Sequence, residues 1–409
     1  MECRFEDRST GHARVLSGLH ERIVATSAAS LAPALARIAE AQAAGYWVAL
    51  LLDYELGEWL EPAVVGSKAD RVGAHLGAGF DAQPDQERGS RSDTSLRAGT
   101  HTDQANAPSE TPRLTALVFT HMHDTDIWPG RPDTDAGIVS VDPRVTQADY
   151  VTAIDEIRRL IREGDVYQIN YTLPLDVKTR GTPEDIYARL AAQQTASHSA
   201  FIDDRAEGGR AVLSFSPELF VRRRGTRIES RPMKGTAPRS ANPAEDHQLG
   251  QALLASEKNR SENVMIVDLI RNDLGRIAKP GSVQVDALFT LEQYPQVWTL
   301  TSTISAELAD TSLSGMLHAL FPCGSITGAP KVAAMQHIKR LEPSPRGLYC
   351  GGLGWLAPNG DFDLSVTIRT LVLGTDGTGV YGVGGGIVYD SDPLDEWEEC
   401  LWKARVLTR

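Results

Sequence analysis

Helix-period and strand-period segments follow one another along this chain without the regular strand–helix–strand rhythm that a parallel sheet requires. Thr146 to Glu163 sets Tyr150, Ile154, Ile157 and Ile161 at helical spacing, and Gly164 is a fitting stop. Asp165 to Thr172 then alternates as a strand. Further helices are predicted around Leu31–Ala44 and over Pro183–Gln194, Asn263–Ile277, Leu313–Leu320, Val332–Leu341 and Leu394–Val406. Strands are predicted over Tyr46–Leu52, Leu114–Thr120, Ala211–Phe215, Arg227–Glu229, Gly351–Leu356, Leu364–Val372 and Gly379–Val383. No fixed-period repeat is present. This mixture predicts an α+β fold with antiparallel sheet packed inside helices.

The chain has 409 residues, 41% of them apolar, enough for a substantial core. Residues 66 to 113 depart from that composition: they are rich in Gly, Ser, Asp, Arg, Thr and Gln and poor in branched aliphatics. Such a stretch buries too little apolar surface to offset its ordering entropy, so it reads as a disordered insertion within one region. A net charge of −13 argues against a general nucleic-acid binder, although a local pocket on an acidic protein can still be basic. The four cysteines, Cys3, Cys323, Cys350 and Cys400, show no CxxC or Cys/His spacing, which suits a reducing compartment and opposes a structural zinc site. The opening Met-Glu-Cys-Arg-Phe-Glu-Asp-Arg is too charged for a signal peptide, and no membrane-length run of about 18 apolar residues occurs. A soluble cytoplasmic protein is expected.

One short stretch resists regular structure. Arg231-Pro232-Met233-Lys234-Gly235-Thr236-Ala237-Pro238-Arg239 carries two prolines that lack backbone donors and a glycine that permits unusual turns. Taken alone, Lys234 is an ordinary surface-loop lysine. Buried, it would lose charge, and its neutral amine would become a nucleophile.

Its company changes that reading. Gly164–Thr172, Ser216–Phe220, Arg231–Arg239, Ser256–Arg276, Phe321–Lys331, the glycine-rich Gly382–Asp392 and Glu398–Arg405 occur in this order. Together they resemble the chorismate-utilising enzymes, the family of anthranilate synthase component I, aminodeoxychorismate synthase component I, isochorismate synthase and salicylate synthase. The resemblance runs from about Thr146 to the C-terminus, and upstream only Tyr46–Pro62 looks familiar. It implies a sandwich of antiparallel β-sheets surrounded by helices, with 1–145 as the N-terminal part of the synthase fold and 146–409 as the chorismate-binding catalytic region. Within the family, the Pro-x-Lys-Gly-Thr form around Lys234 looks like aminodeoxychorismate synthase, since anthranilate synthases typically carry alanine there.

The resemblance also implies roles. Lys234 is the nucleophile and Glu218 the general acid, because hydroxide leaves C4 of chorismate badly unless protonated. Glu262 and Glu399 bind one Mg²⁺; two carboxylates facing a dianionic substrate need a cation between them. Each could instead be an exposed helix glutamate, and Glu399 is spaced to pair with Lys403, with Glu396 on the same face. Arg369 matches the family's carboxylate-binding arginine, placed by strand alternation so that it could face inward. Tyr349, Thr327 and the backbone donors of Gly384, Gly385 and Gly386 complete the substrate contacts. One departure is Thr299, where family members often carry histidine.

Two rival motifs fail. Gly324–Lys331 lacks GxxxxGK[ST] spacing, and a proline precedes its lysine. His121 and His123 share a strand face but lack other ligands, so they read as polar surface. The expected activity is Mg²⁺-dependent amination of chorismate to 4-amino-4-deoxychorismate, toward para-aminobenzoate and folate. The alternatives are anthranilate synthase component I, or a chorismate-binding subunit without turnover. None of the four cysteines suits a glutaminase nucleophile, so a separate glutamine amidotransferase subunit is expected to supply ammonia.

Overall fold

The computed structural model describes residues 1–65, 111–131, 135–294 and 297–408. The insertion expected over 66–113 therefore lies, for 66–110, outside the described residues, and the chain enters the strand Leu114–Asp126 just beyond it.

The strands form one continuous antiparallel path. In spatial order it runs through Gly137–Pro143, Gln168–Arg180, Thr378–Ile387, Thr370–Leu373, Ala211–Ser216, His198–Asp203, Glu2–Asp7 and His12–Ala25. It continues through Leu114–Asp126, Trp47–Leu52, Gly352–Leu356, Phe362–Val366, Leu219–Arg224, Arg227–Arg231, Val297–Glu307 and Gln284–Gln293. Residues from both halves of the sequence thus alternate along the sheet. The α+β architecture holds, with the expected sheets joined into a single path.

Burial shows how that path closes on itself. Cys3, Leu16, Ala49, Leu51, Leu117, Phe119, Ala200, Ile202, Val212 and Leu353 share one apolar cluster, although they come from seven successive strands of the path. The intervening Val48, Leu50, Leu52, Ala116 and Val118 point the other way, into a larger cluster with Leu31, Ile38, Leu317 and Ile338 of the helices. The strand Trp47–Leu52 is consequently buried on both faces, which is why its sequence is unbroken apolar rather than alternating. Each such leucine contributes about 1.5–3 kcal/mol on burial.

The helices begin and end where local chemistry directs. Thr146 accepts from the Asp149 backbone N–H at 3.2 Å to cap Gln147–Glu163, and Gly164 closes it in the left-handed region at φ 84°. The helix expected from Asn263 starts earlier, at Glu257. Ser256 caps it, and its polar first turn carries no apolar period to read. Among the described residues, no helix is long and apolar enough to cross a membrane.

Two segments correct the sequence reading. Met233–Pro238 is a strand, not an irregular loop; it pairs with Val297–Thr301, with a shift in register between Met233 and Thr236. Gly235 takes φ 89° at that irregularity, so the glycine that suggested a loop forms a bulge instead. The single strand expected over Leu364–Val372 is two strands, Phe362–Val366 and Thr370–Leu373, broken at Thr367–Arg369.

The charged N-terminus is itself a strand with a purpose. Glu6 is buried, contacts Arg4 at 2.9 Å and Arg8 at 2.5 Å, and accepts the Tyr187 hydroxyl at 2.9 Å and the Trp128 backbone N–H at 2.8 Å. Glu6→Ala leaves two confined guanidinium groups and a buried phenol without that acceptor. It is expected to destabilise the protein by about 3–5 kcal/mol, the usual consequence of breaking a buried charge pair. A lower urea midpoint with an unchanged slope is the measurement that checks it.

Candidate active site

A cavity of about 310 Å³ lies where the strands Gln168–Arg180, Met233–Pro238 and Thr378–Ile387 meet the helices Glu257–Gly275 and Pro393–Ala404. Lys234, Glu218, Glu262, Glu399, Arg369, Tyr349, Gly384, Gly385 and Gly386 all line it. Thr327 does not. It is fully buried, and its hydroxyl donates at 3.2 Å to the carbonyls of Cys323 and Gly324 in its own turn. That hydroxyl is spent on the loop that shapes the wall rather than offered to the cavity.

The bulge at Gly235 gives Lys234 its place. Thr299, the departure noted from the family's usual histidine, donates its hydroxyl to the Gly235 carbonyl at 3.1 Å and also lines the cavity. Lys234 is half-buried at the wall. Loss of hydration pulls its ammonium below the ordinary lysine value, while the carboxylates of Glu218 and Glu262 oppose that pull.

Glu218 follows the buried strand Ala211–Ser216 and is itself buried. Desolvation raises its carboxyl above the ordinary glutamate value. The Ser325 hydroxyl, donating to Glu218 Oε1 at 2.6 Å, and the positive charge of Lys234 hold the rise in check. An acid placed this way is protonated over a wider pH range than a surface glutamate, and a proton acceptor and a proton donor share one small volume.

The glycine strand is the opposite wall. A Cβ added at Gly386 would lie 3.4 Å from Lys234 Nζ and would overlap the Gln168 amide. One added at Gly385 would lie 2.9 Å from Glu396 Oε2, and at Gly382 it would collide with the Tyr349 ring. Side chains on this strand would fill the cavity. Their absence brings backbone within reach of whatever enters.

Arg369 sits in the break between two strands, at φ 50°, held by its carbonyl accepting from the Phe215 backbone N–H at 3.1 Å. That left-handed conformation is uncommon for a side-chain-bearing residue, and alternation along a strand does not describe it. Its orientation comes from the kink. Among the described residues its guanidinium forms no hydrogen bond or ion pair, and desolvation, opposed by Tyr381 and Tyr294, lowers its proton affinity. A half-buried fork of donors with no acceptor among the described residues is fitted to a carboxylate brought from outside.

Glu262 and Glu399 reach the cavity from separate helices. Desolvation raises the Glu262 carboxyl; Lys234 and Lys258 lower it, and Glu399 raises it further. Glu399 contacts Lys403 at 2.7 Å, the i,i+4 pairing its sequence allows, and Lys403 also donates to the Gly384 carbonyl at 2.6 Å. Among the described residues, no three His, Cys, Asp or Glu side chains converge to hold a metal by themselves. Mg²⁺ asks for less: one or two carboxylates, waters and substrate oxygens suffice, so this hard-oxygen pair fits it. His121 and His123, by contrast, lie exposed on a strand far along the sheet path from the cavity.

Several residues at or behind the cavity wall carry no sequence signal of their own. Gln168 lies behind the wall, fully buried beside Gly386, and among the described residues its amide nitrogen and oxygen have no hydrogen-bond partner. Ser325, Tyr381 and Asn170 line the cavity itself. Position inside the motif stretches pointed toward Gln168, Asn170 and Ser325, whereas Tyr381 falls just before the glycine-rich Gly382–Asp392.

The chain is 47% identical over 262 residues to an aminodeoxychorismate synthase of Streptomyces griseus, covering 64% of this chain and 36% of that protein. It is 44% identical over 260 residues to aminodeoxychorismate synthase component 1 of Salmonella typhimurium, covering 63% of this chain and 56% of that protein. The chain therefore spans about half, or less, of the length of these relatives. Among solved structures, anthranilate synthase component I from Streptococcus pneumoniae superposes with a TM-score of 0.68 at 25% identity, covering 88% of this chain and 80% of that one. The sequence model of the chorismate binding enzymes matches residues 3–409, and the chain belongs to that family.

Proposed function

We propose that this chain aminates chorismate at C4 to give 4-amino-4-deoxychorismate, toward para-aminobenzoate and folate, using ammonia from a glutamine amidotransferase partner. The observation that carries this reading is Lys234, whose amine meets the cavity beside the buried carboxyl of Glu218. The names of the two aminodeoxychorismate synthase relatives support it, and Arg369, unpaired among the described residues, supports a carboxylate-bearing substrate.

The neutral amine of Lys234 attacks C2 of the ring, both conjugated double bonds shift by one position, so that C1=C2 and C5=C6 become C6=C1 and C4=C5, and the C4–oxygen bond breaks. Glu218 gives its proton to the departing hydroxyl, which leaves as water. Ammonia then attacks C4, both double bonds return, and the C2–nitrogen bond breaks to release the lysine amine. The extra proton on the new C4 nitrogen passes to the Glu218 carboxylate and restores the acid. Arg369 orients a substrate carboxylate throughout, with Tyr349 against the ring and Gly384–Gly386 offering backbone donors. Mg²⁺, held by Glu262 and Glu399, would supply positive charge against the other substrate carboxylate.

The rival reading, amination at C2 with loss of pyruvate, has support in the likeness to the Streptococcus pneumoniae anthranilate synthase. Product analysis with chorismate, Mg²⁺ and ammonium separates the two. We expect 4-amino-4-deoxychorismate, converted to para-aminobenzoate only after a lyase is added. Anthranilate as the main product would overturn the proposal, and binding without turnover would leave a non-catalytic chorismate-binding subunit.

Lys234→Ala is expected to fold but to lose 4-amino-4-deoxychorismate formation, and Glu218→Gln to lower kcat by roughly 10²–10⁴-fold, the usual contribution of a positioned proton donor. Near-wild-type product from the alanine variant would remove the covalent step.

Glu262→Gln and Glu399→Gln are each expected to raise the Mg²⁺ concentration needed for half-maximal rate, with a double variant little worse than the poorer single one. Additive losses with an unchanged Mg²⁺ response would mean two unrelated glutamates.

With ammonium salts as nitrogen source, the rate is expected to rise with pH, because free ammonia and neutral Lys234 both increase. Glutamine should serve only after an amidotransferase subunit is added. Glutamine-dependent synthesis by the purified single chain would contradict the partner assignment.

A further inference from the structure

Arg346 is absent from the cavity lining, yet its side chain reaches the backbone that forms the wall. The side chain is almost wholly buried, 2% exposed. Nη1 donates to the Ile326 carbonyl at 2.8 Å, and Nη2 donates to the Asn170 carbonyl at 2.7 Å. Ile326 follows Ser325 in the turn Gly324–Ile326, and Asn170 lies on the strand Gln168–Arg180. The Asn170 N–H in turn donates to the Thr327 carbonyl at 2.8 Å, which closes a ring of hydrogen bonds around the turn.

The fork is itself held from three sides. Glu342 accepts from Nε at 2.8 Å and from Nη2 at 2.7 Å, and its Oε1 also accepts the Thr172 N–H at 3.0 Å and hydroxyl at 2.9 Å. The Tyr54 ring lies 4.3 Å from the guanidinium carbon. Glu55 accepts the backbone N–H groups of Arg346 at 2.7 Å and Gly347 at 3.1 Å. A lysine carries a point charge and cannot reproduce a planar fork that serves a carboxylate and two carbonyls at once.

We propose that Arg346 is a positioning residue, clamping the turn Gly324–Ile326 to the strand Gln168–Arg180 so that the Ser325 hydroxyl stays on Glu218. The inference rests on the reading of Glu218 as the proton donor for its catalytic meaning, but not for its geometry. Ser325 donates to Glu218 at 2.6 Å from within a turn whose next carbonyl Arg346 grips. The other groups facing Glu218 are Lys234 and the Met233 backbone from one strand, His198 from another, Cys323 at the start of the turn, and the buried Cys350, which also faces Arg346. None of them contacts Arg346 by hydrogen bond or ion pair.

The test compares Arg346→Lys, Ser325→Ala and their combination. We expect kcat to fall by up to about 10²-fold, the scale of a misplacement near 1 Å, with KM close to wild type. The double variant should be no slower than the slower single one. Independently of turnover, a ¹³C titration of the Glu218 carboxyl, assigned with Glu218→Gln, should move to higher pH in both single variants, because the carboxylate loses a donor. Should Arg346→Lys fail to accumulate folded, the pair Arg346→Met with Glu342→Leu removes the clamp without stranding a buried charge and should give the same displacement. An unmoved titration in a folded clamp variant, or additive losses in the double variant, overturns the inference. Absence of chorismate turnover in the wild type with the titration displaced as expected overturns only the proposed reaction.

Discussion

A lysine and a glutamate in one poorly hydrated cavity pull against each other, and the geometry of this protein turns on that tension. Burial favours the neutral form of both, whereas their mutual attraction favours the charged form of both. Bringing lysine from about 10.4 to near neutrality requires roughly 4–5 kcal/mol of differential solvation, at 1.36 kcal/mol per pH unit. Complete exposure would leave the amine protonated. A closer pairing would do the same by a different route. The bulge at Gly235 and the tether from Thr299 set Lys234 at the wall, and Ser325 holds Glu218 from the other side.

Sheet topology explains how residues so distant in sequence share that cavity. The glycine strand Thr378–Ile387 pairs with Gln168–Arg180 residue by residue, placing Gly386 opposite Asn170 and Gly384 opposite Thr172. Lys234 comes from a strand that reaches the sheet through Val297–Glu307 instead. The two helices bring the acidic side, and Lys403 ties one of them to the glycine strand by way of the Gly384 carbonyl. Backbone without side chains lets three elements approach more closely than ordinary packing allows. Any Cβ at Gly386 would meet both Gln168 and Lys234.

Elements whose structure is decided locally were legible in the sequence. The helix Gln147–Glu163 has its cap, its apolar face and its terminal glycine within one short stretch, and the strand Trp47–Leu52 is a bare apolar run. Motif order pointed to the cavity residues Lys234, Glu218, Glu262, Glu399 and Arg369, though not to their geometry. Elements decided by distant partners were harder to read. Pro232 and Pro238 argue against a strand, yet Met233–Pro238 pairs with Val297–Thr301, tolerating proline at its end and a shift in register. Arg369 owes its direction to a kink anchored on Phe215, which no spacing rule contains. Thr327, matched by motif alone, turned out to spend its hydroxyl inside the turn. The buried role of Glu6 in the charged N-terminus has no local signal, because its partners, Tyr187 and Trp128, lie far away in the chain.

The placement of one amine also bears on which carbon receives nitrogen. If Lys234 occupies C2 covalently, incoming ammonia finds that carbon blocked and C4 activated by the loss of water. A small side chain at the same position would leave C2 open to ammonia. Regioselectivity in this reading needs no separate recognition of C4, because the protein's own nitrogen excludes the competing position. The price is a lysine that must be neutral when substrate arrives, and hence a cavity dry enough to disfavour every charge in it. A dianion entering such a space needs fixed countercharge. The unpaired guanidinium of Arg369 supplies it on one side, and the carboxylates of Glu262 and Glu399 call for a cation on the other. In this reading the proposed nucleophile, acid, arginine and metal-binding pair are linked requirements: each answers the electrostatic problem created by the others.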